Sequence, residues 1–215
     1  MKSKFSILLV LMILVGSLTA QVLVENQDSN MPLYTELSDE VLKPYNKLFT
    51  KTEFNLEEMK SFRSFLEPYA MKGDPVGMLM YAKAHDLYPY KKGSKKDAAI
   101  ALEYFEKASD AGLADASYIL YGHYRNGYMT LPKDSYKSLA YLQKAIKQGN
   151  DKTKASLMTG LARLHYSETG EVGMNKDFPA VKYNTDLTKY YLSEAVKLNP
   201  DNMWAKDQLV SLNEK

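Results

Sequence analysis

The sequence predicts an all-α fold, a short right-handed α/α solenoid of about three helix pairs between atypical terminal helices. Two observations predict it. The segment YFEKASDAG, residues 104–112, recurs thirty-seven residues later as YLQKAIKQG, residues 141–149. In addition, each copy is flanked by a second segment whose apolar residues follow helical spacing. Self-similarity at one period in this range is typical of repeated helix pairs.

The two copies agree over a longer stretch than the quoted letters. Aligned on their glycines, residues 97–112 and 134–149 share six identities in sixteen positions, namely Asp97/Asp134, Leu102/Leu139, Tyr104/Tyr141, Lys107/Lys144, Ala108/Ala145 and Gly112/Gly149. Aspartate is a preferred N-cap and glycine a frequent C-terminal residue of helices. Each copy is therefore predicted to be a helix that an aspartate opens and a glycine closes.

A second helix is predicted in every repeat, most clearly in LADASYILYGHYRNGY after Gly112. There Ala116, Leu120 and Tyr124 are spaced four apart, which places them on one helical stripe. The segments DPVGMLMYAKAHDLY and DKTKASLMTGLARLHYSETG are its counterparts in the other repeats. The predicted unit is thus helix A, a short loop, helix B and a turn.

Atypical helices are predicted at both ends of the array. Upstream, Asn55 and Glu58 form a capping-box pattern before the helix that contains FLEPYAMKG. Downstream, TKYYLSEAVKLN repeats helix B, with Leu192 and Ala195 falling where Leu142 and Ala145 fall. The last segment, PDNMWAKDQLVSLNEK, is predicted as a capping helix with its proline in the first turn.

The central copy resembles a known repeat. Its pattern A-x-x-x-L-x-x-x-Y-x-x-G in Ala116, Leu120, Tyr124 and Gly127, followed by Asp134 and Y-L-x-K-A-x-x-x-G, is similar to the Sel-one-like repeat, a relative of the tetratricopeptide repeat. The resemblance implies an α/α solenoid whose common role is that of an adaptor between proteins.

The resemblance covers about residues 55–212, and two copies depart from it. The first has Tyr81, Ala82 and His85 at the leucine, glycine and tyrosine positions of the family. The third needs about one extra helical turn, and its loop of residues 170–183 is longer than the family's. That loop carries Met174, Phe178 and Pro179, which leaves two alternatives: contact with a partner, or packing on its own repeat.

The N-terminal segment MKSKFSILLVLMILVGSLTAQ has the layout of a secretory signal peptide, with two lysines, an apolar run and small residues up to Ala20. The apolar run is shorter than the ~20 residues that cross a bilayer. We therefore predict cleavage after Ala20, a flexible arm over residues 21–37, and one helical repeat domain over residues 38–215. The predicted location is the bacterial periplasm. Since the chain has no cysteine, packing alone must hold the domain.

The charge balance does not indicate nucleic-acid binding. Removing Lys2 and Lys4 with the leader lowers the 28 basic residues to 26, which equals the 26 acidic ones. The densest cluster, KKGSKK at residues 91–96, is interpreted as a solvated loop, with attraction of an acidic protein or anionic lipid as its alternative.

No catalytic or metal motif is found. His85, His123 and His165 fall in the last turns of successive A helices, where they are interpreted as aromatic packing residues. The sequence contains no G-x-S-x-G, S-x-x-K or H-E-x-x-H motif. We therefore predict a protein that is not an enzyme and that holds no cofactor and no metal.

Tyrosine is the residue type that best suggests a binding surface, because it is enriched at interaction hot spots. The chain has 17 tyrosines. Tyr104, Tyr124 and Tyr141 sit at repeat positions and are assigned to the core. The predicted protein-binding residues are those outside the repeat stripe and at the helix exits, namely Tyr118, Tyr121, Arg125, Tyr128, Tyr88 and Tyr90.

The predicted function is an exported protein-binding module, favoured as a monomer. Small exported members of the family that it resembles include immunity proteins that neutralise secreted toxins such as type VI lipase effectors, which makes this the specific hypothesis. The alternatives are a cell-envelope adaptor and a protein that binds glycans or β-lactams, because aromatic rows also stack on sugar rings.

The export prediction is testable by N-terminal sequencing of the chain expressed with its own leader in a Gram-negative host. We expect the periplasmic fraction to hold protein that begins at Gln21. Full-length protein that starts at Met1 and remains in the cytoplasm would contradict the prediction.

Overall fold

The computed structural model describes residues 56–86, 94–128, 131–167 and 173–214. Within these ranges the chain forms eight α-helices, in order α1 Leu56–Met71, α2 Pro75–His85, α3 Lys95–Asp110, α4 Ala114–Asn126, α5 Ser135–Gln148, α6 Asp151–His165, α7 Thr185–Leu198 and α8 Met203–Asn213. Strand-like pairing in the described residues is limited to two single bridges. The predicted all-α repeat fold is confirmed, with pairs α2–α3, α4–α5 and α6–α7 between α1 and α8.

The chain divides into two compact units, one up to Asp115 and one from Ala116 onward. The division falls just after the start of α4. The predicted leader, the arm of residues 21–37 and the Asn55 cap lie outside the described residues.

Helix starts follow capping chemistry, but not at every predicted residue. Asp134 caps α5 as predicted, since its carboxylate accepts from the backbone N–H groups of Tyr136 and Lys137 at 3.1 and 3.0 Å. In α3 the N-cap is Ser94, three residues before the predicted Asp97. Asp97 instead accepts from the Ser94 N–H at 3.0 Å, which completes a capping box.

The last helix also starts later than predicted. Pro200 lies outside α8, and the N-cap is Asn202, whose side chain accepts from the Ala205 N–H at 3.2 Å. The amide of the same Asn202 donates to the Thr159 hydroxyl at 2.8 Å. A cap that also reaches α6 fixes the start of α8 better than a proline can, because proline offers no side-chain hydrogen bond.

The two repeat glycines both follow their helices, for different reasons. Gly112 has φ of 99°, a left-handed conformation that residues with a side chain rarely adopt. Gly149 has an ordinary φ of −71°. A Cβ on Gly149 would lie 2.7 Å from Cγ2 of Thr153, so here glycine is required by the close approach of the next helix.

The helical repeat shows most clearly in two core positions of the B helices. The first is Phe105 in α3, Leu142 in α5 and Leu192 in α7, and the second, three residues later, is Ala108, Ala145 and Ala195; all six side chains are buried. A large and a small residue one turn apart form the same knob and gap in each repeat.

In the unit that ends at Asp115, α1 packs against α2 and α2 against α3. Met59, Phe62 and Leu66 form the buried stripe of α1. A Cβ on Gly77 of α2 would lie 2.7 Å from Cβ of Tyr69, so the contact between α1 and α2 depends on this glycine.

In the unit that begins at Ala116, the A and B helices of two repeats make the same contacts. The Asp134 N–H donates to the Tyr124 carbonyl and the Asn184 N–H to the His165 carbonyl, both at 2.8 Å. Tyr124 stacks on Tyr141 at 5.5 Å, and His165 stacks on Tyr191 at 5.6 Å. His165 therefore takes the tyrosine position of the third repeat, and α6 has 15 residues where α2 has 11.

The described part of the long loop, residues 173–183, packs on its own repeat and on the preceding one. The Asn175 side chain accepts from the N–H groups of Asp177 and Phe178, both at 3.0 Å, and donates to the Leu164 carbonyl at 2.8 Å. Phe178 and Val181 are each 2% exposed within the core cluster of this unit. Of the two alternatives for this loop, packing is the one that the structure shows.

This packing predicts a large stability difference between two residues of one loop. Phe178→Ala should lower the free energy of unfolding by about 3–5 kcal/mol, because it removes a fully buried ring and leaves a cavity. Met174→Ala is the matched control and should change it by less than about 1 kcal/mol, since Met174 is 44% exposed. Chemical denaturation measures both, and equal small effects would show that the loop does not belong to the core.

Candidate protein-binding face on helix α4

The predicted tyrosine and arginine residues of α4 lie on one face of the helix. The rings of Tyr118 and Tyr121 are tilted against each other with centroids 5.6 Å apart. Nη1 of Arg125 donates to the Tyr121 hydroxyl at 2.9 Å, and its guanidinium carbon lies 5.9 Å from the centre of that ring. The spacing of three and four residues thus produces the contiguous row that it predicts.

Exposure differs along this row. Arg125 is exposed and Tyr118 is half-buried, but Tyr121 is only 8% exposed and Tyr128 only 3%. Tyr121 packs against Phe178, with ring centroids 6.5 Å apart. Tyr128 stacks on His123 at 3.9 Å.

The two buried tyrosines therefore support the face rather than offer contact area of their own. Tyr88 and Tyr90, the other two predicted binding residues, lie outside the described residues. The expected binding role of the face stays a prediction, which now centres on Tyr118 and Arg125.

Gly122 is a feature of this face that sequence reasoning missed. It lies four residues after Tyr118 and three before Arg125, on the same side of α4. Tyr118, Gly122 and Arg125 together are called the α4 stripe. A Cβ on Gly122 would meet no atom within 4 Å, so no packing contact requires a glycine there. Glycine within a helix costs about 1 kcal/mol relative to alanine, so Gly122 weakens α4 without a packing gain, as the equally open Gly160 does in α6. The signal in the sequence was a glycine between Tyr121 and His123 in an otherwise strong helix.

The charge of the face comes from Arg125 alone. Burial raises the pKa of the Tyr118 hydroxyl, so this group stays neutral at physiological pH. The stripe therefore offers a partly exposed aromatic ring, a flat segment of backbone at Gly122 and one oriented cation. Such a surface suits a carboxylate and an apolar side chain of another protein.

A second polar cluster, in the other unit, joins three helices. Oδ1 of Asp97 in α3 forms an ion pair with Nη1 of Arg63 at 2.9 Å. The same oxygen accepts a hydrogen bond from Nδ1 of His85 at 3.1 Å. Nε of Arg63 also donates to the Ala84 carbonyl at 2.9 Å. No sequence pattern indicated this cluster, because its members come from three separate helices.

The pKa values of this cluster indicate a structural ion pair. Partial burial alone would raise the pKa of Asp97, but hydrogen bonds from Ser94 and His85 and the charge of Arg63 outweigh it and bring the pKa to about 2. Burial, followed by the charge of Arg63, lowers the pKa of His85. At neutral pH His85 is therefore uncharged and donates its Nδ1 proton to a carboxylate. The His85 ring also meets the Tyr81 ring edge-on at 4.7 Å, consistent with the predicted packing role.

Neither a metal site nor a membrane span is found in the described part of the chain. No three His, Cys, Asp or Glu side chains there are grouped so that they could hold a metal ion. None of the eight helices is both long enough and apolar enough to cross a bilayer.

The buried carboxyl of Asp115 should make the stability of the fold depend on pH. Burial raises the pKa of Asp115 to about 7, and the positive charge of Lys83 opposes the shift only in part. The unfolded carboxyl ionises near 3.8, so between about pH 4 and 7 the folded state binds more protons than the unfolded state. This carboxyl should therefore lower the unfolding free energy as the pH rises through the window, by up to about 4 kcal/mol, while the lowered pKa of His85 acts in the opposite direction.

Asp115→Asn should remove most of this fall and be the more stable form at pH 8. Glu67→Gln changes an exposed carboxyl of the same unit and serves as the control. Denaturant midpoints at pH 5 and pH 8 measure the effect. Equal pH dependence in the native chain and the Asp115→Asn variant would contradict it.

The comparisons with known proteins identify the repeat. A family model described as Sel1 repeat matches residues 75–113 and 116–150. A solved Sel1 repeat protein from Oxalobacter formigenes is 21% identical, with a TM-score of 0.48, over 69% of this chain and 96% of that one. A protective antigen of uropathogenic Escherichia coli strains, which displays an SLR fold, is 18% identical, with a TM-score of 0.50.

The match to the Escherichia coli antigen covers 93% of this chain and 42% of that one, so this chain spans less than half its length. No curated protein matches the sequence. The two matched segments contain α2–α3 and α4–α5, the helix pairs described above. Residues 75–113 and 116–150 thus match the Sel1 repeat, and the chain has an all-α repeat fold similar to that of the Escherichia coli antigen.

Proposed function

We propose that this chain is an exported protein-binding module, and specifically a periplasmic immunity protein that neutralises a secreted toxin such as a type VI lipase effector. Sel1 repeats are protein-interaction scaffolds, so the general class of protein-binding module is supported. The periplasmic location, the toxin as partner and the binding site on α4 are the further parts of the proposal.

The observation that carries the proposal is the stripe of Tyr118, Gly122 and Arg125 on α4. Tyrosine and arginine are the residue types that most often dominate binding energy at interfaces. Arg125 is held in place by the Tyr121 hydroxyl at 2.9 Å. A guanidinium that is already oriented loses less side-chain entropy when it pairs with a carboxylate of the partner.

Arg125 is connected to the hydrophobic core through Tyr121. Tyr121 is buried against Phe178, which the Asn175 turn holds in place. The stripe is therefore carried by a rigid helix with a packed second layer behind it, as a precise binding surface requires.

The open position at Gly122 gives the stripe its shape. We infer that the absence of a side chain there leaves room between the Tyr118 ring and the Arg125 guanidinium for an apolar side chain of the partner. The same openness means that the folded chain accommodates a Cβ there, and a larger residue should block the partner.

The export step rests on the leader-like segment of residues 1–20. An exported helical-repeat domain without a catalytic motif fits an inhibitor of a toxin that acts in the periplasm. This part of the proposal is an analogy from fold and export.

The binding test is a pull-down with the full chain, carrying its own leader and a C-terminal tag, from cells that also export the hydrolases encoded beside its gene. We expect one hydrolase in a stoichiometric complex. Arg125→Ala should weaken the complex by about 30-fold or more, as loss of a hot spot does. Lys206→Ala removes an exposed cation from α8 and should leave the affinity unchanged. Equal affinity of the native chain and the Arg125→Ala variant would exclude the α4 stripe.

Gly122→Leu is the sharpest variant. Because a Cβ at Gly122 meets nothing within 4 Å, Gly122→Ala should keep or slightly raise the melting temperature. Gly122→Leu, whose melting temperature is measured to check its fold, should abolish the complex. Gly160→Leu in α6 is the matched control, since Gly160 is also a helical glycine with open space around it. Loss of binding in both variants, or in neither, would contradict the proposed site.

Immunity itself needs a second readout. Cells that export the captured hydrolase should survive with the native chain and die with the Gly122→Leu variant. Capture without protection would favour an envelope adaptor over an immunity protein.

A further inference from the structure

We propose that the exposed face of α5 is a second interaction surface, which takes an acidic segment of a protein partner. This basic face consists of Lys133, Tyr136, Lys137, Ala140, Gln143, Lys144 and Lys147. It differs from the α4 stripe, and the inference does not depend on the proposed function.

The charge of α5 is the first argument. The helix SYKSLAYLQKAIKQ carries three lysines and no carboxylate. Lys133 and the N-cap carboxylate of Asp134 lie just before it, so four lysines face one carboxylate. In other helices a lysine is paired with a glutamate one turn earlier: Lys60 with Glu57 at 2.7 Å, Lys107 with Glu103 at 2.6 Å, and Lys197 with Glu194 at 2.5 Å.

Three lysines of the basic face lack this compensation. Among the described residues, no carboxylate forms an ion pair with Lys133, Lys137 or Lys147. Uncompensated cations at helical spacing on one face create a positive potential that an acidic partner neutralises.

The orientation of the helix is the second argument. Ser138, Leu142 and Ala145 are buried and fix which side of α5 faces the core. Tyr136 and Lys147 therefore lie on the solvent side, three turns apart, on a face about 20 Å long.

Two tyrosines hold lysines of the face in place. Nζ of Lys137 lies 5.2 Å from the centre of the Tyr124 ring, and Nζ of Lys144 lies 6.0 Å from that of Tyr141. Cation–π contacts of this kind restrain an ammonium group without neutralising its charge.

Tyr136 is the third argument, and it favours a protein over a membrane. Its side chain is 68% exposed in the first turn, beside Lys137. An interfacial membrane helix buries a whole apolar face in lipid, but the apolar face of α5 is already buried in its own unit. One exposed aromatic residue among lysines matches a hot spot for an acidic segment with an apolar side chain.

The test uses the full chain and a fluorescein-labelled peptide of about 15 residues, long enough to follow α5, with glutamates at helical spacing and one leucine. Fluorescence anisotropy should show binding that weakens as salt rises. Reversing three charges with Lys133→Glu, Lys137→Glu and Lys147→Glu should weaken binding by about tenfold or more at low salt. Tyr136→Ala should weaken it by about fivefold, an effect that persists at high salt.

The matched control reverses three exposed lysines of the other unit that lie outside the KKGSKK cluster, Lys60, Lys72 and Lys107, and changes the net charge equally. It should stay within about twofold of the native chain. Equal losses in both triple variants would show attraction by net charge alone and overturn the inference. Absence of peptide binding at low salt would overturn it as well.

Two further probes address other anionic surfaces. Vesicles that contain phosphatidylglycerol and a DNA duplex are titrated under the same conditions. If the vesicles or the duplex bind more tightly than the peptide, and if the α5 lysines are needed for that binding, the inference of an acidic protein partner is overturned.

Discussion

The structure depends on fully buried alanines at repeated positions of its helices. Ala108, Ala145 and Ala195 are each 0% exposed in the three B helices, and Ala116 and Ala162 are buried equally in A helices. A methyl group at a contact lets two helix axes approach within roughly 8–10 Å. The chain has no cysteine, so close packing of this kind has to supply the stability that a disulfide would give.

This packing decides which residues remain for binding. In α4 the stripe of Ala116, Leu120 and Tyr124 is buried, so the residues between them face outward or form a second layer. Tyr121 belongs to that second layer and orients Arg125, while Tyr118 and Gly122 complete the outer surface. In α5, Leu142 and Ala145 are buried in the same way, so the lysines and Tyr136 lie on the solvent side. Both proposed surfaces thus follow from the helical period once the buried side is known.

The parts of the fold that were predictable are those that local chemistry determines. The thirty-seven-residue offset between the two copies predicted the B helices, and Asp134 was correctly predicted as the N-cap of α5. The predicted cap at Asp97 was wrong because the sequence holds two members of a capping box, and only the backbone shows that Ser94 is the cap. The burial of Tyr121 was not predictable, since it depends on Phe178, which lies 57 residues further along the chain. The cluster of Arg63, His85 and Asp97 was missed for the same reason, because long-range contacts leave no local pattern.

The central claim is that a partner protein binds at the α4 stripe, and site-specific photo-crosslinking in native cells tests it most directly. A benzophenone amino acid replaces Gly122, where a Cβ meets no atom within 4 Å, and the melting temperature of the variant is compared with that of the native chain to check the fold. The account predicts one crosslinked protein of defined mass from position 122 and none from Lys206 on α8. A crosslink from Lys206 with none from position 122 would contradict it.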